Sequence, residues 1–105
     1  MDDATTYADG IVGRARAAAD AFLGLDQERT DRVVEAAFRA SFDARIELAR
    51  LAVEETGVGV FEHKVVKNAW ASLLIHEHLR GRKTVGVLSD DPVRGITEIA
   101  RPIGP

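Results

Sequence analysis

From Gln27 to Thr56 the chain contains no glycine or proline, and this uninterrupted run constrains the fold more than any other feature. Plotted at about 100° per residue, Asp31, Glu35, Arg39, Asp43, Glu47, Arg50 and Glu54 fall on one stripe of mostly alternating charge, with Glu35 and Arg39 spaced as an i,i+4 pair. Val33, Val34, Ala37, Phe38, Phe42, Ile46, Leu48, Ala49, Leu51 and Val53 spread over more than half of the circumference. The spacing therefore predicts one helix over the whole run, apolar on more sides than two companion helices cover.

The flanks supply the rest of a plan. Tyr7, Ile11, Ala15, Ala18 and Phe22 recur at helical steps and predict a first helix over Ala4–Leu23, with Thr6 and Asp9 as a weakened capping box. Gly24, Leu25 and Asp26 then read as a stop followed by a new N-cap at Asp26. Gly57 suits the left-handed C-cap of the long helix, and Gly59 permits a tight re-entry. A third helix is expected over about Val60–Leu79, with Val66, Ala69, Trp70 and Leu73 on a core side and Ile75 and Leu79 on the other. After Arg82 the composition turns β-branched: TVGVL (84–88) and GITEIA (95–100) flank the turn-forming SDDPVR (89–94), which predicts a two-stranded hairpin with unpaired outer edges.

Composition removes several function classes. The 105 residues carry 14 basic and 17 acidic side chains, a net charge of −3, so there is neither a basic footprint for nucleic acid nor a cationic face for membranes. No apolar run approaches the roughly 18 residues of a membrane helix and the N-terminus is acidic, which reads as a cytoplasmic protein. Cysteine is absent, which removes disulfides, thiolate metal sites and a thiol nucleophile from these residues.

Candidate chemistry is weak at each place it could sit. His76, Glu77 and His78 are metal-ligand types, but side chains two apart on a helix diverge by about 200° and the i,i+4 spacing of a helical zinc motif is missing. Glu54 and Glu55 diverge by about 100°, and Glu54 continues the solvated stripe. Lys64 and Lys67 share a helix face and could meet a phosphate, though a plain surface pair is the default reading. Gly57-Val58-Gly59 follows a helix rather than a strand and lacks the third glycine of a dinucleotide fingerprint. Trp70 is expected in the core beside Val66 and Leu73. No residue is assigned a catalytic, cofactor-binding or metal-binding role on these grounds.

Longer phrases carry more. DARIELARLAVEETGVGVFEHKVVKN (43–68), KTVGVLSDD (83–91) and GITEIARPIG (95–104) occur in the order and at the spacing of the CoA-acylating aldehyde dehydrogenases, and the chain resembles in particular the aldehyde dehydrogenase half of the bifunctional aldehyde-alcohol dehydrogenases. The resemblance implies an α/β parent with a Rossmann-type cofactor domain, in which residues 1–82 form the N-terminal helical part and 83–105 a hairpin that serves as an oligomerisation arm. It implies a parent reaction using NAD and CoA, in which an aldehyde becomes an acyl-CoA through a cysteine thioester, with an iron-dependent alcohol dehydrogenase following in the bifunctional members.

Where that family continues with an apolar strand, this chain has Pro105, and neither the dinucleotide loop nor the nucleophilic cysteine lies within it. The expectation is an N-terminal fragment, inactive alone and binding neither NAD nor CoA, whose hairpin at 84–101 pairs with further copies or with the rest of the parent enzyme. The alternative is a free-standing helical interaction module that pairs through the same hairpin. A small metal- or phosphate-binding domain using His76, His78 or Lys64 is a third expectation.

Overall fold

The computed structural model describes residues 2–104; Pro105, where the expected apolar strand would begin, lies outside them. The described chain is mixed α/β: α1 (Asp3–Phe22), α2 (Gln27–Asp43), α3 (Arg45–Thr56), α4 (Phe61–Ala69), a π-helical turn (Trp70–Leu74), α5 (Ile75–Leu79), β1 (Gly86–Asp91) and β2 (Ile96–Ala100). Contacts divide it into two units, one made of the residues up to Thr30 with those from Lys83 onward, the other of Asp31–Arg82.

In the first unit, α1 starts earlier than the sequence suggests. Asp2 is its N-cap, its carboxylate accepting from the amides of Ala4 at 2.6 Å and Thr5 at 3.2 Å. The capping box expected at Thr6 and Asp9 is therefore corrected: both lie inside the helix, because an aspartate one turn earlier already satisfies the free amides. Asp26 behaves as expected, its Oδ1 accepting from Arg29 N at 2.8 Å at the start of α2. Gln27 then reaches far along the chain. Its Oε1 accepts from the amides of Thr84 (2.7 Å) and Val85 (3.0 Å), and its Nε2 donates to Thr84 Oγ1 (2.9 Å).

β1 and β2 pair antiparallel, with Val87 opposite Ile99 and Asp91 opposite Ile96. Leu88 is the extra residue of a β-bulge between Val87 and Ser89. The turn is shorter than read: Ser89, Asp90 and Asp91 belong to β1. Cross-strand bonds hold them there, Ser89 Oγ donating to Glu98 Oε2 (2.8 Å) and Thr97 Oγ1 to Asp90 Oδ1 (2.7 Å). Asp91 Oδ1 then accepts from the amides of Val93 and Arg94, and Gly95 closes the turn at φ 68°. Thr84 and Val85 precede the strand; their amides are spent on Gln27.

In the second unit the long helix is divided, and the single helix expected over Gln27–Thr56 is corrected to α2 and α3. Ala44, at φ −83° and ψ 3°, sits in the bridge region between them. Arg45 supports the break by donating from Nη1 to the Phe42 carbonyl at 2.8 Å, its guanidinium carbon 4.1 Å from the centre of the Phe42 ring. No glycine or proline marks the spot, so residue propensity gives no warning of it.

α3 packs on α4, where Ala49 is fully covered, the one buried hydrophobic residue among those described. Asn68 on α4 donates from Nδ2 to the Arg45 carbonyl at 3.0 Å. Gly57 ends α3 in the left-handed conformation, φ 64° and ψ 13°, its amide donating to the Val53 carbonyl at 2.8 Å. A β-branched side chain is poorly accommodated there, so Gly57→Val should cost about 1–2 kcal/mol. Urea unfolding followed by far-UV circular dichroism measures it; an unchanged midpoint would show that this cap contributes nothing.

The third helical stretch starts at Phe61 and runs to Leu79 through the π turn. Trp70 and Val66 are not in the core, as their periodicity suggested, but 65% and 57% exposed. The helices are apolar on more faces than this chain covers: Leu48, Leu51, Ile75 and Leu79 are exposed too.

Candidate functional site

A concavity that brings charged groups together lies in the second unit, between α2 and α5. It is a cleft of about 300 Å³ lined by Asp31, Val34, Glu35, His76, Leu79, Arg80 and Gly81. The imidazole of His76 stacks on Phe38, ring centroids 4.3 Å apart and planes 5° from parallel. Its Nδ1 is buried and lacks a hydrogen-bond partner.

Across the cleft Glu35 accepts from Arg39 Nη2 at 2.7 Å and Nε at 3.0 Å. These bonds, then the arginine's charge, hold the Glu35 carboxyl below its ordinary value of 4.5, with smaller contributions from His76 and Arg80. A carboxyl lowered by folding stabilises the folded state above its unfolded value, and that stabilisation is lost as pH falls through the folded value. Acidification from neutral to below 4.5 should therefore weaken α2, and Arg39→Leu should shift the Glu35 carboxyl resonance titration upward toward 4.5. An unmoved titration would remove the pair from the account.

The structure separates the other sequence candidates. His78 does not join His76; its Nε2 lies 3.0 Å from Arg82 Nη2, while Glu77 pairs with Arg80. Among the described residues no three His, Cys, Asp or Glu side chains come together in a metal-binding group. Glu54 and Glu55 are both exposed on α3. Lys64 is half-buried rather than a plain surface residue: it folds over Gly59, where a Cβ would stand 2.7 Å from its Cε, while Lys67 is exposed. Gly57 and Gly59 (φ 95°) form the joint between α3 and α4. Gln27, Arg45, Asn68 and Ser72, which organise the two units, carried no signal in the sequence beyond being polar. No described helix is long and apolar enough to cross a membrane.

No family model matches the chain. It is 43% identical over 96 residues to the bifunctional aldehyde-alcohol dehydrogenase of Escherichia coli (strain K12), covering 91% of this chain and 11% of that enzyme. It is 43% identical over 96 residues to the acylating sulfoacetaldehyde dehydrogenase of Cupriavidus necator, covering 90% of this chain and 20% of the relative. The chain is homologous to the acylating aldehyde dehydrogenase region of such enzymes.

The fold agrees: the structure of a probable aldehyde dehydrogenase from Listeria monocytogenes EGD-e superposes with a TM-score of 0.80 and 31% identity, over 90% of this chain and 21% of that one. The resemblance read from residues 43–68, 83–91 and 95–104 thus holds, and so does the α/β class. The chain spans about a tenth of the first of these relatives and a fifth of the second. The sequence contains no cysteine, and Gly57 caps the end of α3, with Gly59 two residues on.

Proposed function

We propose that this chain is the helical and hairpin portion of an NAD-dependent, CoA-acylating aldehyde dehydrogenase acting in the cytoplasm, whose whole reaction converts an aldehyde, CoA and NAD to an acyl-CoA and NADH. The observation that supports this most is 43% identity, over about nine-tenths of the chain, to two relatives of different named substrate, one of them acylating by name. The segment's part in that reaction is architectural. Residues 1–82 cover a cofactor domain with their unpartnered apolar faces, Trp70 and Val66 among them, and the hairpin at 84–101 pairs with a sheet of a further copy or of the remaining enzyme. NAD, CoA and the thioester cysteine belong to the remainder of that enzyme, and the chain by itself turns over nothing.

A chimera tests this. Replacing the homologous segment of the Escherichia coli enzyme with these residues should retain CoA-dependent NADH formation from acetaldehyde, whereas the 105-residue chain alone should match the blank. A folded chimera without that activity, or turnover by the lone chain, would overturn the proposal.

The exposed apolar side chains and the outer strand edges also favour a second reading, a free-standing module that associates through its hairpin. Gel filtration across a dilution series separates this from a self-sufficient domain: a concentration-independent monomer with protected hairpin amides would end it.

A further inference from the structure

The two outer edges of the hairpin are not equivalent. β1 is interrupted: Leu88 is an extra residue in the ladder, the strand opens on Gly86 at φ 78°, and the amides of Thr84 and Val85 before it already donate to Gln27. A bulge bends and twists an edge away from a flat partner, and the adjacent carboxylates of Asp90 and Asp91 further blunt this one. β2 has none of these devices. Ile96–Ala100 runs without glycine, proline or bulge, and its one charge, Glu98, is turned onto β1, accepting from Ser89 Oγ at 2.8 Å. Among the described residues the sheet has two strands, so β2 presents a regular open edge, with Ile96 and Ile99 both more than half exposed.

The side chains along β2 fix how a second copy fits this edge. Pairs along an antiparallel ladder alternate between hydrogen-bonded and non-hydrogen-bonded, so two identical strands related by a two-fold axis must have one residue opposite itself. An axis at Glu98 sets like charges opposite each other, and one at Thr97 sets Ile96 against Glu98. An axis at Ala100 sets Ile99 against Arg101, and one at Ile96 requires the turn residues 92–95 to act as strand. An axis at Ile99 does none of this. Val87, Ile99, Asp90 and Thr97 share one face of the hairpin, the bulge keeping the first and third on the same side, so Ile99 meets Ile99 with Val87 behind each.

We propose that two copies of this chain join through β2, antiparallel and two-fold about Ile99, into a four-stranded sheet whose outer strands are the bulged β1 edges. The proposal rests on the second reading above, association through the hairpin, and names the edge and the register. Val87 and Ile99 of both copies form one apolar row across the four strands. Arg101 of the second copy stands opposite Thr97, whose hydroxyl holds Asp90 on the next strand, so a cation faces the carboxylate side of the hairpin at each end of the joint. The bulges leave the outer edges of the new sheet unfit for further strands, which closes the assembly at two copies.

The chain has no cysteine, so single introduced thiols report the geometry. Self-paired residues of antiparallel strands have Cα atoms about 4.5–5.5 Å apart, inside the disulfide range of about 4.4–6.8 Å, so Ile99→Cys should close a covalent dimer under mild oxidation. Val87→Cys and Thr97→Cys, on the same face, lie about 14 Å from their counterparts and should cross-link at least about tenfold more slowly. Arg101→Asp, which lies outside the strand, should raise by about tenfold the concentration at which gel filtration shows half of the chain as dimer. An associating chain in which Ile99→Cys links no faster than the two controls overturns pairing through β2 and leaves the hairpin to a strand of the remaining enzyme. A concentration-independent monomer overturns this proposal together with the association on which it rests. Should Ile99→Cys unfold, Arg101→Asp decides: association unchanged by it refutes the register.

Discussion

Replacing Ala49 by aspartate should all but abolish cooperative folding of the helical unit. Ala49 has no accessible surface and belongs to α3, which packs on α4, so an ionised carboxylate there would lose its water. The cost is of the order of 3–5 kcal/mol, a large part of what a domain of this size holds in reserve. Ala49→Gly introduces no charge and should cost only about 1 kcal/mol, which separates burial of charge from loss of helix propensity. Urea titration monitored by far-UV circular dichroism distinguishes them. An aspartate variant with the midpoint of the parent chain would mean that α3 and α4 are not held by their contact at this residue.

The second large effect is expected at Gln27, which contributes three hydrogen bonds between the first turn of α2 and the approach to the hairpin. Gln27→Ala leaves the amides of Thr84 and Val85 without their acceptor, Val85 being half-buried, and should cost roughly 1–3 kcal/mol. The signature is local: amide exchange at Thr84 and Val85 should accelerate, while that of α3 and α4 should not. Gln27→Glu keeps the acceptor and loses only the donor to Thr84 Oγ1, so it should restore most of the protection. Uniform acceleration along the chain would assign Gln27 a global role instead.

How far the sequence leads differs from element to element. The Asp26 cap, the Gly57 stop and the antiparallel pairing of the hairpin follow from a few neighbouring residues, because each is a local solution to unsatisfied backbone groups or to a positive φ. The break at Ala44 does not, since alanine is the best helix former and the feature that supports the break is an arginine turning back onto Phe42. The π turn is equally silent: Trp70–Leu74 reads as ordinary helix until the Ile75 amide is seen bonded to the Trp70 carbonyl, five residues back. Trp70 shows the opposite failure. Its periodicity correctly marks an apolar face, but periodicity alone says nothing about whether the same chain supplies the cover.

The candidate site was legible only in its parts. His76 stood out as a metal-ligand type and Glu35 as half of an ion pair, yet nothing in their spacing placed them on one cleft, because they lie 41 residues apart and meet only through the packing of α2 and α5.

By itself, then, the amino-acid order determined the family, the succession of helices and hairpin, and the absence of a thiol, all of which are encoded in local bonding rules or in residue identity. Tertiary structure decided where the long helix breaks, which histidine stacks on Phe38, how Gln27 ties the hairpin, and which apolar faces stay open. Those outcomes turn on contacts between residues distant in sequence, whose energies no local pattern contains.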